Sequence, residues 1–207
     1  MKRTPFCVVQ MNLVPPTPKL REDTTTRYAL LIGNTHYEHS DRLPKCANDV
    51  DLLESTLSSK LPARDRFKVR ALKDLSSDEM WKGITSFFAD VQRFQEMERA
   101  VVLFFFCGHG FYEGDTTYLV PTNDDINQRK NWVTLRYVVE TLRELSNVAI
   151  AFLLMDCCRA NPLGEESRQC VDVANNVMIV TACGSNRPAY ETGEPFSQFL
   201  SFPSHFC

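Results

Sequence analysis

The sequence predicts an α/β domain in which a mostly parallel sheet is covered by helices on both faces. Short apolar runs alternate with segments of helical spacing along residues 27–207, a pattern typical of this class. The two central runs, Ala100–Cys107 and Val148–Met155, are apolar at nearly every position, as in parallel strands buried on both sides. With 207 residues and 43% hydrophobic content, the chain can bury a full core as a single domain.

The first 26 residues are expected to lie outside this domain. They contain Pro15-Pro16-Thr17-Pro18, then charged residues and a threonine run, which is typical of a flexible leader or interdomain linker. A secretory signal is not predicted, because Gln10 and Asn12 interrupt the apolar part and no small-residue cleavage site follows. The domain is therefore expected to span residues 27–207.

The first half of the domain predicts two strands and two helices. Tyr28–Ile32 is a short apolar run closed by Gly33-Asn34, and Phe67–Leu72 alternates apolar with basic residues, so both are expected to be strands. Between them, Cys46–Leu57 has apolar residues at helical spacing. Ser76 and Glu79 form a capping-box pattern that begins a second helix. The inner face of that helix is predicted to carry Met80, Ile84, Phe87, Phe88 and Val91.

The second half continues the alternation. After the strand Ala100–Cys107, residues 118–120 form a short extended piece ended by a proline, and Thr134 is expected to cap a helix. Strands follow at Val148–Met155 and Val177–Ala182, and Phe196–Ser201 is expected to begin another helix. The inner face of the helix after Thr134 is predicted to carry Leu135, Val138, Val139, Leu142 and Leu145.

Reactive side chains follow two of these strands. One strand leads into Cys107-Gly108-His109-Gly110, and the other into Asp156-Cys157-Cys158-Arg159. In parallel sheets, ligands bind at the carboxyl ends of the strands. An imidazole can take the proton of a thiol to form the nucleophilic thiolate and later return it to a leaving amine. The sequence therefore predicts a Cys/His hydrolase site with His109 and one of the two adjacent cysteines.

Strand alternation favours Cys158 as the nucleophile. If the pleat continues past Met155, Asp156 and Cys158 face one side and Cys157 faces the other. An acid that lines the pocket of the nucleophile can bind a cationic group of a substrate. Cys157 is then expected to pack inward.

The glycines around His109 indicate a tightly turned, exposed position rather than a core histidine. Gly110 also leaves its backbone N–H accessible. Together with the N–H of Cys158, it can form an oxyanion hole.

Several other classes of function are not expected. Structural zinc sites have paired ligands on turns, whereas adjacent cysteines on a strand point to opposite sides, so no metal is predicted. The eight cysteines are irregularly spaced in a core-rich chain, which favours reduced thiols over a disulfide framework. A net charge of −3 with interspersed signs gives no footprint for nucleic acid. No apolar stretch is long enough for a membrane span, and a cytoplasmic location, with the nucleus as a further compartment, is expected.

A set of strings in order resembles a known family. They are YALLIGNTHY, CANDVDLLESTL, LKDLSSDEMWKGITSFF, FFFCGHG, TYLVPTND, AFLLMDCCR and VTACGSNRPAYE, running from Arg27 to about Leu200. His109 precedes Cys158 by 49 residues, close to the spacing known for caspases. The set resembles the caspase-like domains of clan CD (peptidase C14), most closely the paracaspases and their metacaspase relatives. The resemblance implies a three-layer caspase-like fold.

The resemblance also implies roles for individual residues. His109 matches the general base, Cys158 the nucleophile, and Gly110 the glycine of the oxyanion hole. Asp49 and Asp156 match acids of the S1 pocket in paracaspases and metacaspases, which cut after arginine or lysine. Caspases, which cut after aspartate, use arginines there.

Three departures from the family pattern stand out. Cys107 replaces the small residue that often precedes G-H-G. Arg187-Pro188 stand near the position of a further S1 acid, for which Glu191 is the available substitute. After Leu200 the family continues with more helix and an edge strand, whereas this chain ends in SFPSHFC, so the C-terminal part is expected to be incomplete.

The sequence thus predicts a cysteine endopeptidase that cleaves protein or peptide substrates after arginine, less readily lysine. The resemblance implies signalling or cell-death contexts and activation by dimerisation, with a second copy or a full-length paralogue as partner. No cofactor is expected, since no metacaspase-type acid cluster for calcium follows Cys158. Two alternatives remain: a catalytically silent scaffold that binds a full-length partner, and a hydrolase of small amides.

Overall fold

A computed structural model describes residues 25–93, 99–113, 116–157 and 176–181. The strands of these residues are β1 (Thr25–Gly33), β2 (Lys68–Lys73), β3 (Arg99–Cys107), β4 (Gly110–Glu113), β5 (Thr116–Leu119), β6 (Val133–Thr134), β7 (Val148–Asp156) and β8 (Val177–Thr181). They form two sheets: sheet A is parallel, in the order β2-β1-β3-β7-β8, and sheet B is antiparallel, in the order β4-β5-β6.

Helices cover both faces of sheet A, as the sequence predicts. They are α1 (Lys45–Ser55), α2 (Ser77–Gln92) and α3 (Leu135–Glu144). The α2 and α3 helices pack on one face, which includes Phe104 and Phe106, and α1 packs on the other, which includes Phe105. The central strand β3 is therefore buried on both sides. Parallel strands linked by helices and enclosed by two helical layers form the expected three-layer fold.

The predicted helix starts and inner faces are confirmed. The backbone N–H of Ser76 donates to the Glu79 carboxylate at 2.9 Å, and Thr134 Oγ1 accepts from the N–H of Tyr137 at 3.1 Å. Both contacts provide partners for backbone groups that a helix terminus leaves without one. All ten residues predicted to face inward from these two helical segments are buried.

Sheet B is the main feature that the sequence pattern did not predict beyond the extended piece at residues 118–120. Its strands are two to four residues long, too short for a period-of-two pattern to be recognised. They are held by aromatic contacts, because the rings of Phe111 and Tyr118 each lie within 6.5 Å of the Trp132 ring. A 3-10 helix, Ile126–Asn131, links β5 to β6.

The observed bounds correct some predicted ones. The first strand begins at Thr25, two residues before the expected start of the domain, because pairing with β3 extends to that residue. The first helix ends at Ser55 and continues as a π-helical turn, Thr56–Lys60. The predicted helix at Phe196–Ser201, most of the leader and the C-terminal end lie outside the described residues. Among the helices that are described, none is long and apolar enough to cross a membrane.

Asn34 ties three segments together where β1 ends. Its fully buried side-chain amide donates to the carbonyl of Val120 at 3.0 Å and accepts from the N–H of Leu75 at 3.0 Å. Its backbone N–H donates to the carbonyl of Cys107 at 2.9 Å. One side chain thus provides partners for two backbone groups of buried residues, and such groups are costly when left without a partner.

Replacing Asn34 by alanine is expected to lower the free energy of unfolding by about 2–5 kcal/mol, because it leaves a buried N–H and a buried C=O without partners. Urea denaturation followed by circular dichroism measures the change. Asn127→Ala, which alters an exposed amide, is the control and should stay within about 0.5 kcal/mol of the unmodified chain. Equal effects of the two substitutions would contradict the role given to Asn34.

Candidate active site

The carboxyl ends of β3 and β7 meet in register at the predicted site. Cys107 is the pairing partner of Asp156, and the N–H of Gly108 donates to the carbonyl of Asp156 at 3.2 Å. His109 follows directly, so its backbone begins beside the segment that carries the adjacent cysteines. Parallel pairing therefore brings together two sequence segments that lie almost 50 residues apart.

The pleat of β7 continues to its end, as expected. Leu153, Met155 and Cys157 belong to the core beneath α2 and α3, whereas Leu154 packs with α1 on the other face. Cys157 carries a reduced thiol and is only 2% exposed, which confirms that it packs inward. Cys158 lies outside the described residues, so its placement on the face of Asp156 stays a prediction from the alternation.

Asp49 and Asp156 are brought together although they come from different elements. A carboxylate oxygen of each and the sulfur of Cys107 all lie within 4.8 Å of one another. Asp49, on α1, is 2% exposed, and Asp156 is partly exposed. We call these two carboxylates the acid pair. Glu191, the third acid predicted for this pocket, lies outside the described residues.

Gly33 allows α1 to come close enough to form the acid pair. A Cβ at this position would lie 2.8 Å from both the Cys46 carbonyl oxygen and Val50 Cγ2, closer than such atoms approach in proteins. The helix therefore sits directly on the end of β1, one turn before Asp49. A larger residue would push α1, and with it Asp49, away from the sheet.

A disulfide joins Cys46 on α1 to Cys107 at the end of β3, with their Cα atoms 5.2 Å apart. The expectation that the thiols of the chain are reduced is wrong for these two cysteines. Spacing along the chain hides the pair, because 61 residues separate them and only packing of α1 against the strand ends makes them neighbours. With its sulfur in this bond, Cys107 offers no thiolate to a metal ion beside the acid pair.

The imidazole of His109 is oriented by a backbone carbonyl. Its Nε2 lies 2.8 Å from the carbonyl oxygen of Asp41. A carbonyl oxygen can only accept, so Nε2 carries the proton and donates it. The neutral ring then has its lone pair on Nδ1, which makes Nδ1 the atom able to take a proton.

Tyr37 also contacts His109. The hydroxyl of Tyr37 accepts a hydrogen bond from the backbone N–H of His109 at 2.8 Å, and the two ring centroids are 4.6 Å apart. Sequence reasoning missed both this residue and Asp41. The string NTHY, which contains Tyr37, contributed to the family resemblance, but nothing in it indicates a contact 72 residues away.

The N–H of Gly110 is directed away from its partner strand. Gly110 opposes Leu119 in the antiparallel ladder, and the N–H of Val120 donates to the carbonyl of His109 at 3.0 Å. This arrangement makes Gly110 and Leu119 a non-hydrogen-bonded pair, in which the N–H groups point outward from the ladder. The geometry is compatible with the predicted contribution of Gly110 to an oxyanion hole.

Comparison with known proteins decides the family. The family model named Caspase domain (Peptidase_C14) matches residues 26–201 of the sequence. The chain belongs to the caspase domain family. Caspase domains are cysteine peptidase domains. No protein with curated annotation matches the chain significantly.

The fold of this caspase domain is similar to that of a solved relative. The crystal structure of Caspase-1 from Spodoptera frugiperda superposes with a TM-score of 0.58, covering 89% of this chain and 71% of that protein. Sequence identity is 14%, so the likeness concerns the fold. It agrees with the central parallel sheet and the two helical layers.

Reduction of the Cys46–Cys107 bond is expected to lower the free energy of unfolding by about 2–4 kcal/mol, because a loop of some 60 residues is freed in the unfolded chain. Urea denaturation with and without a phosphine reductant measures this. The double variant Cys46→Ser/Cys107→Ser is the control and should not respond to the reductant.

Thiol titration under denaturing, non-reducing conditions provides the independent check. The double serine variant should show as many reactive thiols as the unmodified chain, since both substituted residues were already bonded. A count lower by two in the variant would show that these cysteines are reduced in solution.

Proposed function

We propose that this chain is a cysteine endopeptidase that cleaves after a basic residue, with arginine preferred over lysine. The observation that carries the proposal is the acid pair, which lies at the carboxyl ends of the strands beside the segment that bears His109. Membership of the caspase domain family supports the peptidase chemistry, and the acid pair supports the preference for a cation.

Two carboxylates from different elements suit a guanidinium group. Its planar set of N–H donors can bond one carboxylate in a bidentate manner while facing the second, and such charge-assisted bonds are stronger than neutral ones. The burial of Asp49 strengthens the interaction further, because less water screens it. A substrate aspartate would be repelled by the same pair. Glu191 is proposed to add a third negative charge to this pocket.

The catalytic steps follow from the orientation of His109. Nδ1 accepts the thiol proton of Cys158, and the resulting thiolate attacks the scissile carbonyl carbon. The N–H groups of Gly110 and Cys158 stabilise the oxyanion of the tetrahedral intermediate. His109 then returns the proton to the leaving amine, and water hydrolyses the thioester by the same route. No cofactor is required for these steps.

The context of the activity is also a proposal. Family resemblance supports protein or peptide substrates and a role in signalling or cell death. It further supports activation through dimerisation, with a second copy or a full-length paralogue as the partner. A cytoplasmic or nuclear location is proposed as well, from the sequence features alone.

Cleavage of a matched peptide series with arginine, lysine or aspartate at P1 is expected to be fastest after arginine and undetectable after aspartate. The reason for this order is the negative charge of the proposed pocket.

An arginyl peptide with a thiol-reactive warhead should label the chain, and Cys158→Ala and His109→Ala should abolish labelling or slow it strongly.

Each result of this experiment decides between functions. Preference for aspartate would overturn the S1 assignment of Asp49 and Asp156. Labelling without cleavage of any arginyl peptide would indicate a hydrolase of small amides. Absence of labelling at all warhead concentrations would indicate a silent scaffold.

Asp49→Asn is expected to lower kcat/KM for an arginyl peptide about 10- to 150-fold, the equivalent of losing one hydrogen bond to a charged group. Asp51→Asn is the matched control on the same helix. Asp51 is exposed and pairs with Lys73 at 2.5 Å, so its substitution should change kcat/KM less than twofold. Comparable losses in the two variants would show a general charge effect instead of a specific contact.

A further inference from the structure

We infer that Tyr37 is a positioning residue that holds the backbone and the imidazole of His109 in the orientation required for proton transfer. The inference rests on the proposed function, since His109 is the base only if the chain is a peptidase. It assigns a role to a side chain from the loop after β1, far in sequence from both reactive segments.

The contacts restrain His109 in two ways. The phenolic oxygen accepts the backbone N–H of His109 at 2.8 Å, which holds the turn that follows β3. The phenol ring lies 4.6 Å from the imidazole at an interplanar angle of 56°. The hydrogen bond from Nε2 to Asp41 leaves the imidazole one direction of rotation, and the ring of Tyr37 limits that rotation.

Close packing at Gly108 shows how tightly the phenol is placed. A Cβ on Gly108 would come within 2.6 Å of the Tyr37 hydroxyl and 2.9 Å of the Phe106 ring. Glycine before His109 is therefore needed for Tyr37 to reach the backbone. This explains on steric grounds why a side chain is excluded at this position.

The loop that carries Tyr37 is anchored on both sides. Before it, the carboxylate of Asp74 accepts the backbone N–H of Thr35 at 2.6 Å and that of His36 at 3.0 Å. After it, the carboxylate of Asp124 accepts the N–H of His39 at 2.8 Å and a hydrogen bond from Ser40. Two carboxylates fixed by four donors hold this segment in one conformation.

The phenol also keeps its own proton. Burial raises the pKa of Tyr37 well above its usual range, and the nearby negative charges of Asp124 and Asp74 act in the same direction, against the opposing hydrogen bond from His109. A neutral phenol accepts the backbone N–H without placing a negative charge beside the proton-accepting imidazole.

The test compares Tyr37→Phe, which removes only the hydroxyl, with Tyr37→Leu, which also removes the ring. For an arginyl peptide, Tyr37→Phe is expected to lower kcat about tenfold and Tyr37→Leu about a hundredfold, with KM within twofold in both, because positioning affects the reaction more than binding. Tyr112→Phe is the matched control. Tyr112 is buried, its hydroxyl has no hydrogen-bond partner within the described residues, and its variant should keep the unmodified kcat.

A second measurement reports on His109 without any activity. Side-chain nitrogen NMR is recorded at a pH at which the imidazole is neutral, and the His109 signal is assigned by its loss in His109→Gln. It should show the tautomer with the proton on Nε2. The Tyr37 variants should show a mixture of the two tautomers or exchange broadening, and Tyr112→Phe should not. This outcome stands even if no peptide is cleaved, so failure of the proposed function and failure of the positioning role are distinguishable.

A double-mutant cycle keeps the test decisive if the leucine variant does not fold. Gly108→Ala forces the hydroxyl of Tyr37 away and should lower kcat about as much as Tyr37→Phe. Combined with Tyr37→Phe, it should cost little more, since the contact is already lost. Normal kcat and an unchanged Nε2–H tautomer in folded Tyr37→Phe would overturn the inference, as would fully additive losses in the cycle.

Discussion

Parallel pairing of β3 with β7, in the register that opposes Cys107 to Asp156, is the constraint on which the candidate site depends. This register places the start of the G-H-G turn beside Asp156, the last residue of β7. Because strand side chains alternate with a period of two, a shift by one residue would turn Asp156 into the core and Cys157 toward the pocket. The apolar side chains of both strands fill two cores at once, and this makes such a shift costly.

The end of β1 is a second junction, which organises both the acid pair and the contacts of His109. Gly33 lets α1 approach, which brings Asp49 and Cys46 to the ends of the neighbouring strands. Asn34 ties the next loop to three other segments. That loop then supplies two contacts of His109, from the carbonyl of Asp41 and the hydroxyl of Tyr37. Small changes at β1 are therefore expected to reach the acid pair and His109 together.

The polar groups of the candidate site are neutral at His109 and charged at the acid pair. Within the described residues, the loop after β1 contacts His109 through two neutral groups: a carbonyl on Nε2 and a phenol on its backbone N–H. The charged groups Asp49 and Asp156 form the acid pair, to which we propose that a substrate cation binds. Neutral contacts suit the role proposed for His109, because a base must be neutral before it accepts a proton and a contacting carboxylate favours the charged form of an imidazole.

Sequence by itself determined the parallel sheet, the helix caps, the inner helix faces and the inward packing of Cys157, because these follow from local periodicity and capping chemistry. It also singled out Asp49, His109, Gly110 and Asp156, although the roles of these residues and the placement of Cys158 remain predictions. The family resemblance already implied that Asp49 and Asp156 line one pocket, whereas only the tertiary structure revealed that Cys46 meets Cys107 and that Tyr37 and Asp41 meet His109. Such contacts depend on the strand order and on how closely α1 approaches the sheet, and no local pattern in the chain encodes either of them.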